Sequence, residues 1–260
     1  RGIVRYGVGV DNIDVEQATA QDIPVINVPE YCVEEVSDHT VALILAASRK
    51  LLPGHEAARQ GKWGPGLMAG TARLATRTVG ILGFGRIGQE VARKVRPMVA
   101  RVMVHDPFVP AEEVLERGAV PADFAGLLEA SDYVTINCPL TPETNHFVDA
   151  KALAKMKPTA WLINTARGEI VQEQDLVEAL ESGRIQGAAL DVLADEPPAP
   201  GSPLLRLPNV IVTPHVAWYS RHAVEDLQRL AAEQARRVLT GGPLQWVVNA
   251  GAWTAPSSDG

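Results

Sequence analysis

The feature that most constrains the fold is a glycine-spaced turn between an apolar strand and an apolar-periodic helix. In the segment TVGILGFGRIG, a short strand leads into Gly83, Gly85 and Gly88 with the spacing G-x-G-x-x-G. The first glycine permits a tight turn, the second lets a phosphate approach the backbone, and the third lets helix and strand pack closely. Free N–H groups at the start of the helix then face the phosphates. The segment therefore predicts a βαβ unit that binds a dinucleotide.

An acidic residue follows the second strand of this unit. Asp106 comes directly after the strand from Val102 to His105, where its carboxylate can accept hydrogen bonds from an adenosine ribose. The same carboxylate would repel the 2′-phosphate of NADP, and no arginine follows directly, so we expect NAD as the cofactor. A G-x-G-x-x-G spacing alone can be no more than a tight turn, but the strand, helix and acid around it favour the dinucleotide site.

Length, charge and cysteine content narrow the class of protein. The 260 residues can form one large or two ordinary domains, and alternating helical and strand patterns predict an α/β fold. A formal net charge of −7 offers no basic field for nucleic acid or an anionic membrane. Cys32 and Cys138 are far apart and lack metal-ligand spacing, so we expect a reduced, cytoplasmic protein without a metal site. Cys138 is expected to be a small buried residue rather than a reactive thiol.

The two ends of the chain carry weaker signals. A strand begins at once, in IVRYGVGVDNID, with no earlier element to cover it, so we expect an N-terminal portion to precede it. Gly7 and Gly9 could form a turn that holds an anion, or a plain strand-to-helix turn capped by Asp11 or Asn12. The last residues, GAWTAPSSDG, predict a frayed tail.

A helix predicted from Val36 to Ala47 is apolar nearly all round in its second half. Such a helix must be covered on most sides, so we expect it to lie at a subunit or interdomain interface. The polar, glycine-rich stretch that follows, PGHEAARQGKWGPG, predicts a linker with one short helix.

Three polar residues in the second half of the chain share one relation to the predicted sheet. Arg167, Glu196 and His215 each come just after a strand, so in a parallel sheet all three emerge at its carboxyl edge, where ligands bind. An arginine can hold a carboxylate and polarise a carbonyl, and a carboxylate beside a histidine favours the protonated ring. Taken singly, they could be a loop cap, a solvated acid and a core imidazole. Their convergence favours a catalytic site.

The chain resembles the D-isomer-specific 2-hydroxyacid dehydrogenase family in four ordered segments, TVGILGFGRIG…VHDP, NTARGEIV, GAALDVLADEPP and TPHVAWYS. The similarity runs from Ile3 to about Ala232, and AWYS with VRYGVGVDNID is most similar to the branch of the C-terminal-binding-protein corepressors and their bacterial relatives. The resemblance implies a doubly wound parallel sheet of the Rossmann type and a smaller, flavodoxin-like substrate domain, truncated at its N-terminus. The implied dinucleotide-binding domain, with its dimerisation helix, comprises residues 29–221. The implied substrate domain comprises residues 1–28 and 222–260.

By this resemblance, His215 is the general acid and base, Glu196 its carboxylate partner, and Arg167 the residue that orients and polarises a 2-keto acid. Glu196 stands where formate-oxidising members of the superfamily have Gln, which argues against that reaction. Cofactor contacts are implied at Thr40, Gly83, Gly85, Arg86, Ile87, Gly88, Asp106, Cys138, Pro139, Thr141, Thr165, Ala166, Arg167, Asp191 and His215.

The resemblance also implies a substrate site and a reaction. The substrate carboxylate would lie at the backbone of Val8 and Gly9, helped by Arg5, while Trp218 would line the pocket or be an ordinary packed aromatic. The implied activity is hydride transfer between NAD(H) and C2 of a 2-keto or 2-hydroxy acid, by a homodimer with no nucleic-acid or membrane partner. The alternative is an NAD(H)-sensing interaction protein of the corepressor type with little turnover.

Overall fold

The computed structural model describes residues 1–252, which form two compact units. The larger unit is Val36–Ala217, and the smaller combines Arg1–Glu35 with the segment from Trp218 onwards. The part of the predicted frayed tail from residue 253 lies outside the described residues. Among residues 1–252, no helix is both long and apolar enough to cross a membrane.

Strands and α-helices alternate along most of the chain. The strands are β1 (Ile3–Val4), β2 (Val25–Ile26), β3 (Thr78–Leu82), β4 (Arg101–His105), β5 (Val120–Pro121), β6 (Tyr133–Ile136), β7 (Trp161–Asn164), β8 (Gly187–Leu190) and β9 (Val210–Val212). The helices are α1 (Val15–Ala20), α2 (Val33–Ser48), α3 (Leu51–Arg59), α4 (Arg86–Val95), α5 (Ala111–Glu116), α6 (Phe124–Ala130), α7 (Ala150–Lys155), α8 (Glu173–Glu181) and α9 (Arg221–Thr240).

A seven-stranded parallel sheet forms the centre of the larger unit. Its strand order is β5-β4-β3-β6-β7-β8-β9, and every neighbouring pair is parallel. The order reverses between β3 and β6, and in such sheets ligands bind outside the carboxyl ends of the strands at this reversal. The predicted doubly wound α/β sheet is confirmed.

Helices cover both faces of this sheet because its strands are apolar on both sides. Val79 and Ile81 of β3 belong to one core cluster with α2, α4 and α5, whereas Leu82 belongs to a second cluster with α6, α7 and α8. At Gly80 the chain of α6 packs directly on β3, since a Cβ at this position would lie 2.3 Å from Ser131 Oγ and 2.5 Å from Leu127 Cδ2. The sheet therefore has a packed core on each of its two faces.

The helix predicted to form an interface is covered within its own unit. Leu43, Ile44 and Ala47 of α2 are 4%, 0% and 4% exposed and belong to the first core cluster. Packing inside the chain explains the apolarity of these three residues. Ala42 of the same helix is exposed and Leu45 is partly exposed, and the predicted interface stays a prediction. The exposed apolar residues come next, on α3, where Leu51 is 56% and Leu52 49% exposed.

The structure adds one strand to the expected elements and places one helix cap differently. The strand β5, Val120–Pro121, was not predicted because it is short and contains proline, which a sheet tolerates at its edge. The N-cap of α1 is Asp14, whose side chain accepts the N–H of Gln17 at 2.8 Å, and is neither Asp11 nor Asn12.

The smaller unit contains a two-stranded parallel sheet, in which Ile3 lies opposite Val25. Its core is small: Leu227 and Ala231 of α9 pack with Val28. That this unit is a flavodoxin-like substrate domain, with boundaries at residues 28 and 222, stays a prediction.

Candidate active site

The glycine turn after β3 leaves open space where a pyrophosphate would approach. Gly83 has φ +91°, and a Cβ there would lie 2.5 Å from the backbone N of Cys138. A Cβ on Gly88 would lie 2.1 Å from the carbonyl oxygen of Gly83. In contrast, a Cβ on Gly85 would meet nothing within 4 Å apart from its chain neighbours. Packing thus requires two of the glycines, while the third keeps the N-terminus of α4 accessible.

Asp106, directly after β4, is held beside this turn. Its Oδ2 accepts the backbone N–H of Phe84 at 2.7 Å, and its Oδ1 accepts that of Phe108 at 2.9 Å. Arg86 and Ile87 form the first turn of α4 next to the same glycines. The carboxylate therefore lies at the end of β4, where an acid can accept hydrogen bonds from the ribose of a dinucleotide.

The loop after β6 carries three further predicted cofactor contacts, Cys138, Pro139 and Thr141. Thr144 closes this loop, because its hydroxyl accepts the N–H of Thr141 at 2.7 Å and donates to the carbonyl of Pro139 at 2.7 Å. Burial raises the pKa of the Cys138 thiol to about 11. The thiol is thus protonated near neutral pH and is not a nucleophile there, although Cys138 is only partly buried rather than buried as predicted.

The loop after β7 holds Arg167 through the side chain of Asn164. The Asn164 amide accepts the N–H of Ala166 at 3.0 Å and donates to the carbonyl of Arg167 at 2.8 Å. The guanidinium of Arg167 donates to the carbonyl of Ala166 at 2.7 Å. The hydroxyls of Thr165 and Thr40 lie 2.8 Å apart, which ties the loop to α2.

A glycine brings the loop of Arg167 against the loop of Glu196. A Cβ on Gly168 would lie 2.0 Å from the carbonyl carbon of Leu193, so only glycine permits this contact. Leu193 in turn donates its N–H to Glu196 Oε1 at 3.0 Å. The loops that follow β7 and β8 are therefore in direct backbone contact.

His215 and Glu196 form the pair that the sequence predicted. His215 Nδ1 lies 2.6 Å from Glu196 Oε2, and their side chains are 41% and 35% exposed, so a ligand can reach both. Because Nδ1 faces the carboxylate, Nε2 is the ring nitrogen that can exchange a proton with a substrate. His215 has φ +53°, in the left-handed region that few residues other than glycine adopt.

A buried carboxylate anchors the loop on which His215 lies. Asp191 is 2% exposed, and its side chain accepts hydrogen bonds from the Thr213 hydroxyl at 2.5 Å and from the N–H groups of Val216 at 3.0 Å and Ala217 at 2.8 Å. Its backbone carbonyl accepts the N–H of His215 at 2.8 Å. The sequence assigned Asp191 only to cofactor contact, but it also fixes the backbone around the histidine.

The predicted carboxylate-binding turn belongs to the smaller unit. Arg5 closes this turn on itself, since its guanidinium donates to the carbonyl of Gly9 at 3.0 Å and to that of Tyr6 at 2.6 Å. The amide of Asn27 donates to the carbonyl of Val8 at 2.8 Å. The turn is therefore internally braced by side chains.

Trp218 also belongs to the smaller unit. Its ring makes edge contacts with those of Tyr31, at a centroid distance of 6.1 Å, and Tyr219, at 5.5 Å. These contacts are those of a packed aromatic cluster, and a role in a substrate pocket stays a prediction. In the described part of the chain, no group of three or more His, Cys, Asp or Glu residues could hold a metal ion.

Three residues that shape the site were not predicted from the sequence, namely Asn164, Gly168 and Thr213. Asn164 is a polar residue that ends the otherwise apolar strand WLIN, and Thr213 directly follows the apolar strand VIV. A polar residue at the carboxyl end of a buried strand is a usable signal, because it must find a hydrogen-bond partner. Gly168 has no comparable signal, since its neighbour Leu193 is distant in sequence.

The fold and the site define a class of protein, a dinucleotide-binding α/β domain with an arginine and a histidine–carboxylate pair at the carboxyl edge of its sheet. The family described as D-isomer specific 2-hydroxyacid dehydrogenase, NAD binding domain, matches residues 41–217. Over 247 residues the chain is 39% identical to D-3-phosphoglycerate dehydrogenase of Archaeoglobus fulgidus, covering 95% of this chain and 47% of that protein. It is also 39% identical over 237 residues to glyoxylate reductase of Korarchaeum cryptofilum, covering 90% and 71%.

Solved structures agree with the sequence comparisons. The crystal structure of D-lactate dehydrogenase from Aquifex aeolicus, complexed with NAD and lactic acid, is similar with a TM-score of 0.87 and 30% identity, covering 93% of this chain and 77% of that one. The chain therefore belongs to the D-isomer specific 2-hydroxyacid dehydrogenase family, and its larger unit contains the NAD-binding domain. It spans about half the length of the D-3-phosphoglycerate dehydrogenases that it matches.

Proposed function

We propose that the full-length protein is an NAD-dependent D-2-hydroxyacid dehydrogenase, which transfers a hydride between NAD(H) and C2 of a 2-keto or 2-hydroxy acid. The observation that carries the proposal is the 2.6 Å contact between His215 and Glu196, on loops that follow adjacent strands. Arg167 follows the next strand of the same sheet. An acid and base and a carboxylate-binding arginine at one sheet edge are the groups that this reaction requires.

The residues around the glycine turn fit NAD. The N-terminus of α4 is accessible at Gly85, and Asp106 lies at the end of β4, where it favours a ribose diol and disfavours a 2′-phosphate. The further contacts implied at Thr40, in the loops after β6 and β7, and at Asp191 are part of this proposal. NADPH should therefore be used much less efficiently than NADH.

The side chains have distinct roles in reduction. When bound, the reduced nicotinamide supplies a hydride to C2 of the keto acid. Arg167 holds the substrate and polarises the C2 carbonyl through its N–H donors, so that the electron pair of the C=O bond moves to oxygen. His215 Nε2 then gives its proton to that oxygen, and Glu196 stabilises the imidazolium before the transfer. In oxidation, the neutral imidazole removes the hydroxyl proton.

The smaller unit supplies the candidates for substrate selection. The resemblance assigns the substrate carboxylate to the backbone of Val8 and Gly9 with Arg5, and an aromatic contact to Trp218. Because Arg5 braces its own turn, Arg5→Ala should raise KM for the keto acid more than it lowers kcat. If KM rises no more than kcat falls, or if neither constant changes, Arg5 does not belong to the substrate site.

The test is the loss of NADH absorbance with a panel of glyoxylate, hydroxypyruvate, pyruvate and aromatic 2-keto acids. We expect turnover by the wild-type full-length protein, and losses of at least about 100-fold in kcat for His215→Ala and Arg167→Ala. Repeating the assay with NADPH tests the role of Asp106. Undiminished turnover in either variant would show that the assigned roles are wrong.

A second candidate function follows from the segment AWYS, which is similar to the corepressor branch. In this case the protein is an NAD(H)-sensing interaction protein in which the nucleotide controls assembly and turnover is negligible. Sedimentation with and without NADH separates the two functions. An oligomeric state that ignores NADH, together with turnover of a keto acid, would exclude the sensing function.

The proposal includes a homodimer in the cytoplasm. The sequence places the subunit contact on the helix from Val36 to Ala47, and the exposed Leu51 and Leu52 of α3 directly follow that helix as further candidates for the contact. Leu52→Glu should shift the dimer to monomer in a sedimentation experiment, while Leu239→Glu, an exposed leucine on α9, should leave it unchanged. A monomeric wild-type protein would refute the dimer.

A further inference from the structure

We propose that His39 is a positioning residue for the catalytic loop, acting through Thr213 and Asp191 on the backbone that carries His215. The proposal rests on the proposed function, because it takes His215 as the acid and base. His39 is a second histidine in contact with the carboxyl edge of the sheet, at Thr213.

His39 reaches this loop from a distant part of the sequence. It lies on α2, and its Nε2 is 2.9 Å from Thr213 Oγ1 and 3.6 Å from Asp191 Oδ1. The His39 side chain is 24% exposed, whereas that of Asp191 is only 1% exposed. Asp191 is therefore shielded from water, whereas part of the His39 ring is exposed.

The direction of the hydrogen bonds follows from the chemistry of the three groups. Asp191 accepts the N–H groups of Val216 and Ala217, so its side-chain oxygens act as acceptors in this loop. The Thr213 hydroxyl donates its hydrogen to Asp191 Oδ1 at 2.5 Å. Since that hydrogen is used, Thr213 Oγ1 can only accept from His39. The geometry thus assigns a hydrogen to Nε2 of His39.

This chain of donors supports a backbone that is otherwise unfavourable. His215 adopts φ +53°. Asp191 accepts hydrogen bonds from Thr213, two residues before His215, and from Val216, directly after it. Loss of the His39 donor leaves Thr213 Oγ1 without this partner and lets Thr213 turn away from Asp191. The imidazole of His215 would then lose its fixed position, and small misplacements of an acid–base group cost large factors in rate.

Two matched variants of the full-length protein test the proposal. His39→Gln keeps an N–H donor near the position of Nε2, and His39→Leu keeps the bulk without a donor. We expect kcat to fall about 10- to 100-fold in His39→Leu and to stay within about threefold of wild type in His39→Gln, with the KM for NADH nearly unchanged in both. Equal kcat values for the two variants would overturn the proposal, since a purely structural role would not depend on the donor.

A double-mutant cycle tests the path through Thr213. Thr213→Val removes the hydroxyl with little change in shape and should lower kcat by a factor similar to that of His39→Leu. Combining the two should cause no further loss, because both break the same chain of hydrogen bonds. Losses that multiply would show that His39 acts by another route.

Amide hydrogen exchange gives a readout that does not depend on turnover. The N–H groups of Val216 and Ala217 should exchange about tenfold or more faster in His39→Leu than in wild type, and at the wild-type rate in His39→Gln. If the wild-type protein reduces no keto acid, the proposed function fails, but this exchange pattern still supports the positioning role. Unchanged exchange in His39→Leu would refute that role even in an active enzyme.

Discussion

At the scale of single residues, the site depends on how each oxygen of Glu196 is used. Oε1 accepts the N–H of Leu193, which orients the carboxylate, and Oε2 faces His215 Nδ1. In the proposed reaction, the charge on the carboxylate stabilises the imidazolium, while the contact at Nδ1 leaves proton exchange with the substrate to Nε2. Orientation and charge can be separated by a neutral isostere.

Glu196→Gln should keep the orientation and remove the charge. In reduction the proton donor is the imidazolium of His215, and the variant lacks the charge that stabilises this imidazolium. We expect kcat/KM for keto-acid reduction to fall about 10- to 100-fold. A kcat/KM for reduction equal to that of wild type would contradict the assigned pairing.

Some residues of the site can be predicted from the sequence, and others cannot. Arg167, Glu196 and His215 could be found because each follows a strand, and the carboxyl ends of parallel strands converge. Gly168 and His39 could not be found in this way. Their roles depend on contacts with Leu193 and Thr213, which are far away in sequence.

At the scale of elements, the glycine turn combines two physical requirements. Gly88 is needed for packing, since its Cβ would meet the carbonyl of Gly83 at 2.1 Å, while Gly85 faces open space. Hydrophobic periodicity predicted the helix and strands on either side of this turn. It did not predict what covers α2, because an apolar stripe packs equally well against its own sheet or a partner.

The two glycines should respond differently to the same added methyl group. Gly88→Ala should lower the free energy of unfolding by about 1–3 kcal/mol, as overpacking against backbone does. Gly85→Ala should change it by less than about 0.5 kcal/mol, as at open surface sites, yet raise the Kd for NADH at least about tenfold because the pyrophosphate approaches there. Chemical denaturation and fluorescence titration with NADH measure the two effects. Wild-type NADH affinity in Gly85→Ala would contradict the proposed path of the cofactor.

At the scale of the whole molecule, the doubly wound sheet followed from local patterns, since alternating helices and strands with a βαβ glycine turn admit few other arrangements. The smaller unit is different, because it joins Arg1–Glu35 to the segment from Trp218 onwards. No local pattern links such distant segments, and only the family resemblance suggested the connection. The pair His215 and Glu196 lies in the larger unit, and the turn braced by Arg5 lies in the smaller one.

The most direct test of the central claim is the fate of a labelled hydride. The full-length protein is incubated with a 2-keto acid and NADH that carries deuterium at the transferred C4 position. The product is separated by chiral chromatography, and its deuterium content is measured by mass spectrometry. We expect the wild-type protein to form the D-2-hydroxy acid with deuterium at C2, and the His215→Ala variant to form no product above background. An L-product, loss of the label to water, or no reduction of any keto acid by the wild-type protein would contradict it.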